Sequence, residues 1–244
     1  MLKLNNYTVL SDENNKLLVD NLSIQVNRGE IHLLLGQNGA GKSSLLQSLM
    51  GLSGYKKSGS ALISNNETIS YTPDQVAMLR AFLAFQNPVE VPGLKNIEFL
   101  KSAYNKLQKP EDQLDPWSFA DLLETFVAKF DLPSDTPQRG LNEGFSGGEK
   151  RKFEVLQMVL LEPELIMLDE IDSGLDIDSQ KLVFGHINEF ITKNNPAVII
   201  VSHNSKILDL IKPTHVHQMQ DGQITKTGEI SLAQQILSKG FKGE

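Results

Sequence analysis

The stretch Gly36-Gln37-Asn38-Gly39-Ala40-Gly41-Lys42-Ser43 constrains this chain more than any other. It fits G-x-x-x-x-G-K-[ST], a loop whose glycines let backbone N–H groups turn inward around a phosphate chain. Such a loop needs a strand before it and a helix after it. Ile31-His32-Leu33-Leu34-Leu35 is a short apolar run that reads as a buried strand, and Ser44 to Met50 reads as a helix stopped by Gly51. The helix N-terminus adds partial positive charge at the same point. Lys42 can reach the β- and γ-phosphates, and the Ser43 hydroxyl can hold Mg²⁺. The expected phosphate contacts are therefore Gly36, Gln37, Asn38, Gly39, Ala40, Gly41, Lys42, Ser43 and the adjoining Ser44.

Composition narrows the setting. With 244 residues the chain can bury one α/β domain, with or without a subsidiary lobe. No run approaches the roughly 18 apolar residues of a membrane span. The segment Met1–Asn6 lacks the apolar region of a secretory signal, so a cytoplasmic location without direct membrane insertion is expected. A net charge of −7 argues against a nucleic-acid surface. Cysteine is absent, which excludes disulfides and thiolate-held metal or iron–sulfur sites.

In chain order, Leu2–Val9 and Leu22–Val26 read as strands of a small antiparallel sheet beside a parallel core. Tyr7 reads as a half-buried strand aromatic rather than a base-stacking platform. Ala77–Phe85 reads as an apolar strand that delivers Gln86 to a sheet edge, where its amide can serve Mg²⁺ or an attacking water. From Asn87 to about Ser134 the pattern turns helical. Ile97, Leu100, Tyr104 and Leu107 share one stripe; Phe119, Leu122, Leu123, Phe126, Val127 and Phe130 share another. These stripes suggest an inserted helical lobe with a core of its own. Asp115 before Pro116 reads as an N-cap.

Ser146-Gly147-Gly148-Glu149 opens the next helix as a capping box. Two glycines in a first turn cost stability, and they make sense where something must approach the backbone closely. Lys150, Arg151 and Lys152 can either pair with acids of the site or form a solvated face. Leu165-Ile166-Met167-Leu168 then reads as a buried strand carrying Asp169 and Glu170 at its C-terminal end, the ligand edge of a parallel sheet. There Asp169 suits Mg²⁺ and Glu170 suits polarising a water. Ala197–Val201 is a further apolar strand ending at His203, within reach of a γ-phosphate. Met219–Ile224 reads as a hairpin around Asp221-Gly222, with His215 and His217 on one face of its first strand. Two imidazoles alone fall short of a metal site.

This order of features resembles the ATP-binding-cassette (ABC) ATPases over essentially the whole chain. The resemblance implies a P-loop NTPase of α/β class, with a parallel-sheet core, an N-terminal antiparallel β-subdomain and an inserted helical lobe. It implies one domain over 1–244, with a catalytic lobe at about 1–86 and 161–244 and the helical lobe at about 87–160. The finer match is to the SufC family, the ATPases of Suf iron–sulfur cluster assembly. It rests on Leu83–Gly93, Asn142–Lys150 and Leu168–Asp178. Phe145 and Glu149 stand where transport members more often have Leu and Gln, and Ser11 falls near the place of their adenine-stacking aromatic. The resemblance implies Mg²⁺-dependent ATP hydrolysis, with Lys42, Gln86, Glu170 and His203 as catalytic residues and Ser43, Gln86 and Asp169 at the metal. It implies a head-to-tail homodimer in which Ser146, Gly147, Gly148 and Glu149 of one copy close over the other copy's ATP. Partners similar to SufB and SufD would dock around Gln86–Gly93. The alternative is the ATPase subunit of an ABC membrane transporter.

Overall fold

The computed structural model describes residues 1–204 and 206–239. Its elements are β1 (Leu2–Ser11), β2 (Leu17–Val26), β3 (Ile31–Leu35), α1 (Lys42–Leu49), β4 (Tyr55–Ile63), β5 (Asn66–Glu67), α2 (Pro73–Met78) and β6 (Ala81–Ala84). There follow β7 (Val91–Lys95), α3 (Asn96–Leu107), α4 (Pro116–Lys129), β8 (Gly140–Leu141), α5 (Gly147–Leu161) and β9 (Leu165–Asp169). The chain closes with α6 (Ile177–Asn194), β10 (Ala197–Val201), α7 (Ile207–Leu210), β11 (His215–Gln220), β12 (Gln223–Gly228) and α8 (Ile230–Lys239).

Two larger sheets carry the fold. One is antiparallel, in the order β2-β1-β4-β5; the other has the order β12-β11-β3-β10-β9-β6 and is parallel apart from β12. β9 and β10 are buried at every position, as their unbroken apolar runs require of strands covered on both faces. Register then does the functional work. Val201 pairs with both Leu34 and Asp169, and Leu168 pairs with Ala84. Hence the residues that follow β3, β6, β9 and β10 all emerge at one edge. That edge is where open parallel sheets bind ligands.

Each face of the parallel sheet has its own core. Leu34, Met167 and Ile199 face α1 and the antiparallel sheet, alongside Tyr7 and Leu46. Leu33, Leu35, Ile166 and Leu168 face the other way and join Leu100, Phe119, Leu123 and Phe130 in one continuous cluster. The helical stripes of α3 and α4 therefore do not enclose a separate core. They extend the core of the sheet, because α5 and α6 bridge the two with Phe153, Leu156, Phe184 and Ile187.

Three local expectations change. The Ala77–Phe85 run divides into the end of α2 and the strand β6. Pro73 sits in the first turn of α2, the Gln75 side chain accepts from Thr72 N at 3.0 Å, and Arg80 turns the chain at φ 56°. β1 continues to Ser11, so Tyr7 and Ser11 share one strand. Tyr7 is wholly buried rather than half-buried; its hydroxyl donates to Ser48 Oγ at 3.1 Å, and burial pushes its phenol up to about 12. It is closed to a nucleotide base. The caps hold as read. Asp115 accepts from Trp117 N and Ser118 N, and the β11–β12 hairpin turns at Asp221-Gly222.

Candidate functional site

The loop after β3 cannot tolerate side chains where the motif demands glycine. A Cβ on Gly36 would collide with the carbonyl oxygen of Met219, and one on Gly41 with that of Leu18. Gly41 also adopts φ 100°, a conformation L-residues avoid. Gln37, Asn38 and Gly39 stand exposed at the rim, whereas Lys42 is buried. The Lys42 ammonium turns back on its own loop, donating to Gly36 O and Gln37 O at 2.8 Å each. Burial lowers its pKa, opposed by the charges of Glu170 and Asp169.

Asp169 ends β9 fully buried. Its Oδ1 accepts from Ser43 Oγ at 3.0 Å, and its Oδ2 has no hydrogen-bond partner. Burial raises its pKa, opposed by the Ser43 bond and assisted by the Glu170 charge. A buried carboxylate oxygen left unpaired is costly, and a hard cation beside Ser43 Oγ would satisfy it.

Glu170 takes φ 50°, a left-handed backbone position that is strained for a residue other than glycine. That turn aims its carboxylate at two neighbours from other strand ends. Oε2 accepts from Gln86 Nε2 at 2.6 Å, and Oε1 lies 3.0 Å from His203 Nδ1. Glu170 is only 6% exposed, whereas the His203 side chain is 50% exposed. Phosphate loop, Ser43, Gln86, Asp169, Glu170 and His203 are thus assembled at one edge.

The four residues Ser146–Glu149 do not join that assembly. They open α5 as a closed capping box: Ser146 Oγ accepts from Glu149 N at 3.2 Å, and Glu149 Oε2 accepts from Ser146 N at 2.7 Å. Ser146 and Gly147 are exposed. A Cβ on Gly147 would meet nothing within 4 Å. The double glycine is therefore not explained by packing within this chain.

Residues 19–173 match the family model described as "ABC transporter". The chain belongs to the ABC transporter family. It is 41% identical to the probable ATP-dependent transporter ycf16 of Trieres chinensis, over 97% of this chain and 98% of that protein. It is 40% identical to the probable ATP-dependent transporter SufC of Escherichia coli K12, over 93% and 92% of the two chains. In fold it is similar to the dimeric cassette MJ0796 in a post-hydrolysis state bound to ADP and Pi, with TM-score 0.80 and 18% identity over 94% of this chain and 99% of that one. A nucleotide-free cassette gives TM-score 0.76 at 22% identity, covering 100% and 99%. The chain is thus an ABC ATPase close to SufC, with ATP as its substrate. Among the described residues, no helix is long and apolar enough to cross a membrane.

The cassette also uses residues that the motifs did not single out. Lys150 pairs with Glu90 at 2.6 Å and Lys152 with Asp131 at 2.9 Å, so neither reaches the acids of the site. Arg151 between them is buried. Its guanidinium donates to Phe85 O, to Gln86 O at 2.6 Å, to Glu170 O at 3.3 Å and to Glu154 Oε2 at 2.9 Å. Glu154 in turn accepts from Phe85 N at 2.6 Å; burial pushes its carboxyl up to about 7, against the pull of Arg151. This ion pair ties α5 to the segment that carries Gln86 and to the backbone of Glu170. Asp172 and Ser202 add a second buried link, at 2.8 Å, between the segments after β9 and β10. Arg151 and Glu154 stand three apart on a helix, the one signal the sequence offered for the pair.

Proposed function

We propose that this ABC ATPase is the ATP-hydrolysing subunit of a cytoplasmic Suf-type iron–sulfur cluster assembly complex. Two copies close head to tail on ATP and change the shape of scaffold partners similar to SufB and SufD. The observation that carries the dimer is the contrast within the site. One edge gathers the phosphate loop, Gln86, Asp169, Glu170 and His203, while at the start of α5 the capped helix leaves Gly147 bare and Gly148 with room for a Cβ in only loose contact with Ser179 and Leu175. A phosphate chain cradled by one copy's Gly36–Ser44 receives its second set of donors from the other copy's Ser146, Gly147, Gly148 and Glu149.

Hydrolysis is in-line attack of water on the γ-phosphorus, forming the water–phosphorus bond as the bond to the β–γ bridging oxygen breaks. Glu170 orients the water, Lys42 offsets charge on the phosphates and His203 contacts the γ-phosphate. Ser43 Oγ, Asp169 and the Gln86 amide oxygen would hold Mg²⁺, which neutralises phosphate charge. Glu170 is engaged by Gln86 and His203, so both must exchange partners before water is activated. An isolated copy is slow because it lacks the half of the site that the second copy supplies.

The partner surface lies beside Gln86. An apolar cavity of about 550 Å³ is lined in part by Met78, Phe82, Phe85, Val89, Val91 and Phe99. Val89 is 70% exposed at its rim. Tagged protein recovered from its native cells, with partners identified by mass spectrometry, tests this reading. SufB- and SufD-like scaffolds are expected, and Val89→Asp reduces their recovery. Recovery of permease subunits instead would establish the transporter alternative, to which the relatives' printed names point.

A further inference from the structure

The sheet edge opposite the phosphate loop holds a cluster of imidazoles that ATP hydrolysis does not use. β3 and β11 run parallel, and His215 is the register partner of His32. His217, two residues further, projects on the same face. The His32 and His215 rings stack at 4.4 Å, and His217 Nε2 lies 2.9 Å from His32 Nδ1. Glu30 completes the group, its Oε2 3.2 Å from His32 Nε2.

We propose that Glu30, His32 and His215 form a binding site for one divalent transition-metal ion of the zinc class. Among the described residues these three form the group whose ligand atoms lie within 4.8 Å of one another. Two imidazole nitrogens and one carboxylate oxygen, with a fourth position open to water, is a donor set that zinc accepts. Ligands around one such ion stand about 3.4 Å apart, so the cluster closes by roughly an ångström. The two rings stack at an interplanar angle of 28°, so their in-plane lone pairs run nearly side by side and converging on one ion requires a rotation. His215 is half-exposed and supplies the rotation, while two ligands are fixed points: His32 is buried, and the Glu30 carboxylate accepts from Asn27 N at 2.7 Å and from Asn27 Nδ2 at 3.0 Å.

The surrounding bonds favour this arrangement. Thr214 Oγ1 lies 3.1 Å from Ile31 O and 3.0 Å from His215 Nδ1. If the hydroxyl donates to Ile31 O, His215 Nδ1 must carry the proton, which leaves Nε2 free as a ligand. The pair His217–His32 can switch in the same way. Without metal, His217 donates to His32 Nδ1 and His32 Nε2 donates to Glu30. With metal, His32 gives up its Nε2 proton to solvent, the bridging proton shifts from His217 Nε2 to His32 Nδ1, and His217 takes a proton from solvent at Nδ1 and donates it to Thr227 Oγ1, so both rings stay neutral. His217 Nδ1 remains 2.9 Å from Thr227 Oγ1, which anchors the outer ring. Ligating histidines are commonly oriented by such outer partners. The ion would fasten β11 to the start of the strand that feeds the phosphate loop.

The test is a Zn²⁺ titration of the purified, nucleotide-free chain with Mg²⁺ in excess, by calorimetry and by ¹⁵N imidazole spectra. Saturation at one ion per chain is expected, with ring-nitrogen shifts at His32 and His215. His215→Ala and Glu30→Gln, both at half-exposed positions, each weaken binding by about tenfold or more. Circular dichroism confirms that both variants fold. No saturable binding, binding in both variants equal to the parent's, or loss of binding in His203→Ala instead would overturn the site.

Discussion

The phosphate loop and the start of α5 both present helix N-terminal amides, yet the chain treats them differently. The loop is occupied from within: Lys42 bonds two loop carbonyls, Ser43 bonds Asp169, and its glycines are wedged against Leu18 and Met219. The α5 start is finished by its own capping box and then left open, with nothing near Gly147. A group packed this tightly is prepared for a small ligand. A group left bare on a capped helix is prepared for a surface that arrives later. The contrast separates what folding completes from what assembly completes.

The sharpest way to probe the first half is Glu170→Gln, which keeps the shape and removes the charge. We expect a loss of about 10³-fold in ATP turnover with nucleotide binding retained, read by steady-state hydrolysis and fluorescent-nucleotide titration. Turnover like the parent's would remove Glu170 from its role. The second half is broken by Gly147→Leu. The space there is open and leucine is the better helix former, so the isolated chain should fold and bind ATP as before. Its ATP-dependent dimer, followed by sedimentation, should be lost, with turnover down about 100-fold. Normal dimers in this variant would show that the bare glycine faces no partner. Ser146→Ala gives the smallest effect. Loss of the cap bond should cost about 1 kcal/mol in denaturant unfolding without nucleotide. A cost near zero would mean that the Glu149 half of the box suffices.

The difference between these halves also governs what was legible in the sequence. Gly36–Ser43, Gln86, Ser146–Glu149 and Asp169-Glu170 are linear signals, and apolar runs assign their strands. Contacts that depend on register or on an unusual backbone angle are not linear. Glu170 meets both Gln86 and His203 only because parallel pairing aligns three strand ends and because its own φ is positive. Arg151 hides in a basic run whose neighbours are both solvent-side ion pairs, and only the helical phase buries it. His32 reads as one more position of a buried strand until β11 sets His215 beside it. The α3 and α4 stripes were visible, but which surface they cover is a tertiary fact.

The buried Arg151–Glu154 pair makes α5 stiff in a particular sense. It cannot pivot without dragging the carbonyls of Phe85, Gln86 and Glu170 along with it. In the proposed head-to-tail pair, α5 would touch the nucleotide of the other copy, while Gln86 and Glu170 would serve this copy's own. Each copy would thus carry a lever whose handle lies in one reaction and whose tip lies in the other. By reciprocity, whatever one nucleotide does to the far site, the far nucleotide does in return. Two nucleotide-binding events joined in this way would shift each other's affinity by the same factor.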